Sequence, residues 1–208
     1  MTAHLSSIEA QSGTARLRQV VGAFSRLSRL SKSVQETLAE GSAILAHLVA
    51  KDDWLPDAFA QPDPERYRQY LLHCDSEERF SLVSFVWGPG QATPIHNHTV
   101  WGLVGVLRGA ELAQRYVRDG GGLHIDGDEA VLRTGAIDAV SPQTGDIHRV
   151  RNAYDDRVSI SIHVYGANIG AVRRATFQPD GAEKPFISGY SNASLPNIWD
   201  RSKEGQLR

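Results

Sequence analysis

The chain has 208 residues, 41% of them hydrophobic and 22% charged, which suits one globular domain or one domain carrying a helical segment. A formal net charge of −2, with no long basic run, excludes a nucleic-acid footprint. One cysteine, Cys74, excludes an internal disulfide, and no apolar run approaches the ~20 residues that span a bilayer.

In chain order, Met1-Thr2-Ala3-His4 opens without the basic and apolar regions of a secretory signal, so a cytoplasmic, reducing location is expected. Leu17, Val20, Val21, Phe24, Leu27 and Leu30 then recur at helical spacing and form one apolar stripe. Ser33 with Glu36 has the form of a capping box and opens a second helix through Leu38, Ile44, Leu45 and Leu48. Asp63 followed by Pro64 suggests a third, short helical start. All three read as helices packed on a sheet.

From about Tyr67 the pattern changes to period two. Arg79 to Trp87, Val100 to Leu107, Glu111 to Val117, Glu129 to Leu132, Gly145 to Arg151 and Arg157 to Tyr165 read as short strands. Gly88-Pro89-Gly90, Arg108-Gly109, Gly120-Gly121-Gly122 and Ser141-Pro142 punctuate them as turns. Short strands at even spacing predict an antiparallel sandwich or small barrel. The expected organisation is a single domain over 1–208: helical to 65, β-barrel over 66–180, and an irregular tail over 181–208 with Trp199 as an anchor.

His96-Asn97-His98 carries the most chemistry. On an extended strand, residues i and i+2 share a face, so the two imidazoles can grip one metal ion if further ligands arrive from elsewhere. The pair sits in Gly90-x5-His96-x-His98, and Gly145-x2-His148-x3-Asn152 follows downstream. These halves resemble the paired signature of the cupin superfamily. The resemblance implies a mainly β fold, a double-stranded β-helix or jelly-roll barrel with the N-terminal α-helices packed on it. It also makes His96, His98 and His148 the metal ligands. Imidazole suits iron, zinc, copper and nickel alike, so ligand type alone does not choose the metal. Many cupins add a glutamate four residues beyond the pair, and Gly102 stands there. Glu111, the next acidic residue, follows the Leu107-Arg108-Gly109 turn and comes too late for the motif. Three neutral histidines leave the ion's charge uncompensated, which favours an anionic ligand such as a thiolate.

Ser161-Ile162-His163-Val164-Tyr165 offers a second constellation, because its three polar residues share one face of a strand. Alternation alone would equally predict a polar strand facing solvent. With the histidines, this row resembles the cysteine dioxygenase type I family over about Tyr67 to Arg174. In that family the row points its tyrosine hydroxyl towards an iron site, which implies catalytic roles for Ser161, His163 and Tyr165. Gln69 falls where animal-type members carry a carboxylate-binding arginine, while Arg68 would point to the opposite face. Bacterial relatives with glutamine there resemble 3-mercaptopropionate dioxygenases and use a later arginine, matched by Arg174 beside Arg173. Gly102 also falls where animal members carry a crosslinking cysteine, and Cys74, on another strand, reads as a small buried residue.

The resemblance implies Fe(II), a small thiol carboxylate and O2 as partners, and a sulfinic acid as product, with 3-mercaptopropionate preferred over L-cysteine. No nucleic acid or membrane partner is expected, and the chain is read as a monomer or homodimer. Two other readings stay open: a zinc or nickel cupin acting as isomerase or ring-cleaving dioxygenase, and a non-enzymatic metal- or ligand-binding cupin.

Overall fold

In the computed structural model, residues 13–31, 33–120, 122–196 and 198 are described. Two helices open the chain, α1 at Thr14–Leu30 and α2 at Val34–Val49. The Ser33 side chain accepts the Glu36 backbone N–H and satisfies one of the donors that a helix start leaves free. The apolar stripe of α1 buries Leu17, Val20, Val21, Phe24 and Leu27, and α2 adds Leu45, Leu48 and Val49 to the same core.

The strands are β1 Arg68–Cys74, β2 Ser81–Trp87, β3 Ile95–His96, β4 Gly102–Arg108, β5 Ala110–Asp119, β6 Gly122–Arg133, β7 Ile137–Val140, β8 Ile147–Asn152, β9 Ser159–Tyr165, β10 Arg174–Phe177 and β11 Glu183–Phe186. They form two sheets, β1-β2-β9-β4-β7 and β11-β10-β3-β8-β5-β6, with every named pair antiparallel. Together they make the mainly β double-stranded β-helix, with the two helices lying on the first sheet.

That first sheet is covered on both faces, so all seven residues of β2 and of β9 are buried. Leu82, Val86, Leu103, Leu107, Ile160, Ile162 and Val164 face the helices. Val83, Phe85, Trp87 and Tyr165 face the other way and meet Ala113 and Val150 of the second sheet. The polar residues of β9 therefore point into the barrel, and the alternative of a solvent-facing strand is removed. Helix α2 lies very close to β4: a Cβ on Gly105 would stand 2.9 Å from Leu45 and 3.0 Å from Val49. Only a residue without a side chain permits that approach.

Three expectations need correction. Asp63-Pro64 does not start a helix. The Asp63 carboxylate accepts the N–H groups of Glu65 and Arg66 and ion-pairs with Arg68, closing a turn, while a short 3-10 turn lies earlier at Asp57–Phe59. The tail is not irregular from 181, because β11 pairs with β10 and extends the second sheet. Gly181, at φ +82°, supplies the left-handed residue of the connecting turn, and Asp180 accepts the N–H of Ala182. Cys74 ends β1 half-buried instead of enclosed. Trp199 lies outside the described residues. No helix among those residues is long and apolar enough to cross a membrane.

Candidate metal centre

His96 ends β3 and is the register partner of His148 on β8. Asn97 turns the other way: its side chain accepts the N–H of Ala175, and its own N–H donates to the Ala175 carbonyl. The residue between the two histidines thus ties this segment to β10 while both imidazoles face the barrel. The three imidazoles stand in a near-equilateral triangle, with ring centroids 4.8 Å (His96–His98), 4.9 Å (His96–His148) and 4.8 Å (His98–His148) apart. All three residues are buried, and one nitrogen from each lies within 4.8 Å of the others.

Outer contacts set the tautomers. His96 Nδ1 lies 3.0 Å from the Pro94 carbonyl, and His98 Nδ1 lies 3.0 Å from Asp146 Oδ1. A carbonyl and a carboxylate only accept, so each Nδ1 carries a proton and each Nε2 is the nitrogen turned towards the other imidazoles. Asp146 also accepts the backbone N–H of His98 at 3.0 Å and of Thr99 at 2.8 Å. It thereby holds Thr99 at φ +61°, a strained conformation for a β-branched residue. Burial pushes His96 and His148 well below the ordinary histidine pKa, and the neighbouring His98 adds to this. Their lone pairs are free at neutral pH, and His148 Nδ1 is buried with no hydrogen-bond partner. Three convergent imidazoles, His96 and His148 held neutral by burial and His98 backed by a carboxylate, fit a divalent transition metal.

Behind the triangle runs the polar row of β9. His163 lies 2.8 Å from Ser161 Oγ through Nε2 and 2.8 Å from the Tyr165 hydroxyl through Nδ1. Trp87 Nε1 donates to Ser161 Oγ at 3.2 Å. His163 stacks on Phe85 at 3.9 Å between centroids, and Tyr165 stacks on His98 at 5.4 Å. Burial lowers the His163 pKa and raises that of Tyr165, so both are neutral at pH 7. Gly102 faces this row across the sheet, where a Cβ would stand 2.9 Å from two ring carbons of Tyr165. A glutamate or cysteine at that position would have to displace the tyrosine.

A pocket of about 570 Å³ opens at His96, lined by Gln69, His96, Tyr165, Arg174 and Tyr190 among others. Arg66, Arg68 and Lys184 join Arg174 in its wall, and no Asp or Glu among the described residues does. Arg174 is 5% exposed, donates to Ser188 Oγ at 2.6 Å and lies over the Phe186 ring at 4.6 Å. Its Nε is buried without an acceptor among the described residues. Arg173, by contrast, is exposed. Gln69 pairs with Phe85 across the sheet and so faces inward, while its backbone is pinned by Ser191 at 2.7 and 3.0 Å.

The structure thus brings Gln69, His96, Tyr165 and Arg174 into the wall of one pocket, with His98 and His148 grouped behind His96 and with His163 and Ser161 following Tyr165 along β9. Sequence reasoning missed Asp146 and the tail residues Phe186, Ser188 and Tyr190. An acidic residue two positions before a metal-type histidine was a usable signal for Asp146. The tail residues carry no local signal, because only the β10–β11 hairpin brings them to the pocket.

Two antiparallel sheets closed around three buried histidines make a double-stranded β-helix with a candidate metal site. Solved structures similar to it include a protein of Thermus thermophilus, 21% identical over 53% of this chain and 92% of that one, with a TM-score of 0.42. Others are an uncharacterized double-stranded β-helix protein of Klebsiella pneumoniae (16% identity, 62% and 91% covered, TM-score 0.43) and a cupin superfamily protein of Desulfitobacterium hafniense (12%, 57% and 94%, 0.43). The profile of the family described as cysteine dioxygenase type I matches residues 14–176. The chain belongs to the cysteine dioxygenase type I family, which implies the thiol-dioxygenase class of oxidoreductase.

Proposed function

We propose that this chain is an Fe(II)-dependent thiol dioxygenase that oxidises a small thiol carboxylate, 3-mercaptopropionate ahead of L-cysteine, to the sulfinic acid. The observation that carries the reading is the buried, carboxylate-free Arg174 in the same pocket as His96 and Tyr165. His96, His98 and His148 would hold the iron, which when bound supplies the electron transfer that lets a thiol react with O2. The chain's own residues do the rest. Arg66 and Lys184 draw an anionic substrate to the mouth, and Arg174 takes its carboxylate. Gln69 adds a neutral amide in place of a second guanidinium, which favours a simple acid over an α-amino acid. Tyr165, held by His163 and Ser161, offers its hydroxyl to substrate or oxygen. The product is RSO2H from RSH and O2, so both oxygen atoms enter the thiol.

The reading extends to a single domain, monomeric or homodimeric, working in a reducing compartment. Oxygen uptake by iron-loaded protein tests it, with 3-mercaptopropionate and cysteine compared in the parent and in Gln69→Arg. The parent prefers 3-mercaptopropionate, and Gln69→Arg shifts the ratio towards cysteine. No thiol-dependent uptake, or stoichiometric zinc in the purified protein with no gain from iron, defeats the proposal.

A further inference from the structure

Glu111 is fully buried, and neither carboxyl oxygen has a hydrogen-bond partner. Asp75, the other buried acid among the described residues, is paired with Arg79. Glu111 sits on β5 facing into the barrel, opposite Asn152 of β8 and Leu132 of β6. The Asn152 amide cannot serve it, being committed to the carbonyls of Trp87, Gly88 and Arg157. Ser161 and Trp87, from the opposite sheet, are the groups that act on its carboxyl. Burial outweighs them and pushes its pKa up to about 7. A core glutamate with no cation and no full hydrogen bond is costly, and an apolar residue there would stabilise the barrel better. The barrel retains it at the inner end of an ordered row that runs from Ser161 through His163 to Tyr165 in the pocket.

We infer that Glu111 is the inner terminus of this row and takes up the proton that the substrate thiol loses on binding. The inference rests on the thiol reading above. The atoms balance as follows. At the start Tyr165 donates to His163 Nδ1 and Nε2–H donates to Ser161, whose hydroxyl turns to the neighbouring Glu111 carboxylate as the transfer begins. The S–H bond breaks with its electron pair left on sulfur, and the proton goes to the Tyr165 oxygen. Tyr165 passes its own proton to Nδ1, Nε2 passes its proton to Ser161, and Ser161 passes its proton to Glu111. The row ends with every member neutral, its hydrogen bonds reversed, and one proton stored on a carboxylic acid. His163, held neutral by burial, serves by exchanging tautomers. Glu111 acts through the row, so it is a positioning and storage residue.

Anaerobic binding of 3-mercaptopropionate to the iron-loaded protein, in weakly buffered and mildly alkaline solution, tests this. The parent releases no net proton, and its infrared difference spectrum gains a protonated-carboxyl band. Glu111→Gln loses the band and releases one proton per thiol bound. Ser161→Ala keeps the carboxyl but cuts the row, and it also loses the band, so the outcome does not depend on Glu111→Gln folding. Equal proton release by parent and Ser161→Ala, or no band in the parent, overturns the inference while normal thiol-dependent oxygen uptake leaves the function standing. If the parent neither binds the thiol nor consumes oxygen with it, the function itself fails and this inference fails with it.

Discussion

The Asp146 carboxylate accepts both the backbone N–H and the Nδ1–H of His98, each at 3.0 Å, so one side chain fixes the position and the ring orientation of a histidine of the proposed metal centre. Asp146→Asn keeps the volume but loses the charge and one acceptor. It is expected to weaken metal affinity roughly 10–100-fold with the fold intact. Competition titration against a chelator, beside far-UV circular dichroism, measures both.

Arg174 makes the second prediction. A hydrogen bond to a charged group contributes about 1.5–3 kcal/mol, so Arg174→Gln should lower kcat/KM for 3-mercaptopropionate by roughly 10–100-fold. A thiol without a carboxylate, such as cysteamine, should lose nothing. Steady-state oxygen uptake on the two thiols separates a carboxylate contact from a general loss of structure.

How much of this could be read in advance divides by distance along the chain. The Gly90-x5-His96-x-His98 stretch, the Ser161–His163–Tyr165 row and the Ser33 cap each declare themselves within a few residues, because strand and helix periods fix which side chains meet. Asp146 acts on a residue 48 positions away and is flagged only by standing two places before His148, while Glu111 faces Ser161, 50 positions on, with no local pattern to encode that cross-barrel approach. The β10–β11 hairpin was legible: Pro179-Asp180-Gly181 between two apolar-ended segments is turn chemistry that the composition of the tail masked. Asp63-Pro64 misled for a related reason, since an aspartate that caps a helix also closes an isolated turn.

Gly102 yields a third expectation. A methyl group placed 2.9 Å from the Tyr165 ring must move the tyrosine or the strand. Overpacking of this kind costs about 1–3 kcal/mol, and a chain of this size loses about 2–4 °C in Tm per kcal/mol. Gly102→Ala should therefore melt several degrees lower and turn over more slowly. Thermal denaturation together with oxygen uptake checks both halves.

Stability against pH supplies the fourth. Burial raises Glu111 to about 7 from 4.5, so between these values the folded chain holds a proton that the unfolded chain has lost. Its contribution is therefore most favourable at acid pH and declines as pH rises through that window, by on the order of 3 kcal/mol. The apo protein and Glu111→Gln, unfolded in urea at about pH 5 and about pH 8, provide the comparison. The variant should gain on the parent at the higher pH, and a constant difference would refute the assignment.

Strand β9 shows its apolar side chains to the helices and its polar ones to the barrel, with no solvent on either side. A slip of one residue against β2 or β4 would exchange the two sets, driving His163 into the helical core and isoleucines into the reaction space. A misregistered chain could keep its full content of strand and helix and still have no metal centre. Metal uptake is thus a proofreading signal for strand register, distinguishing correctly threaded barrels from compact impostors that circular dichroism would pass.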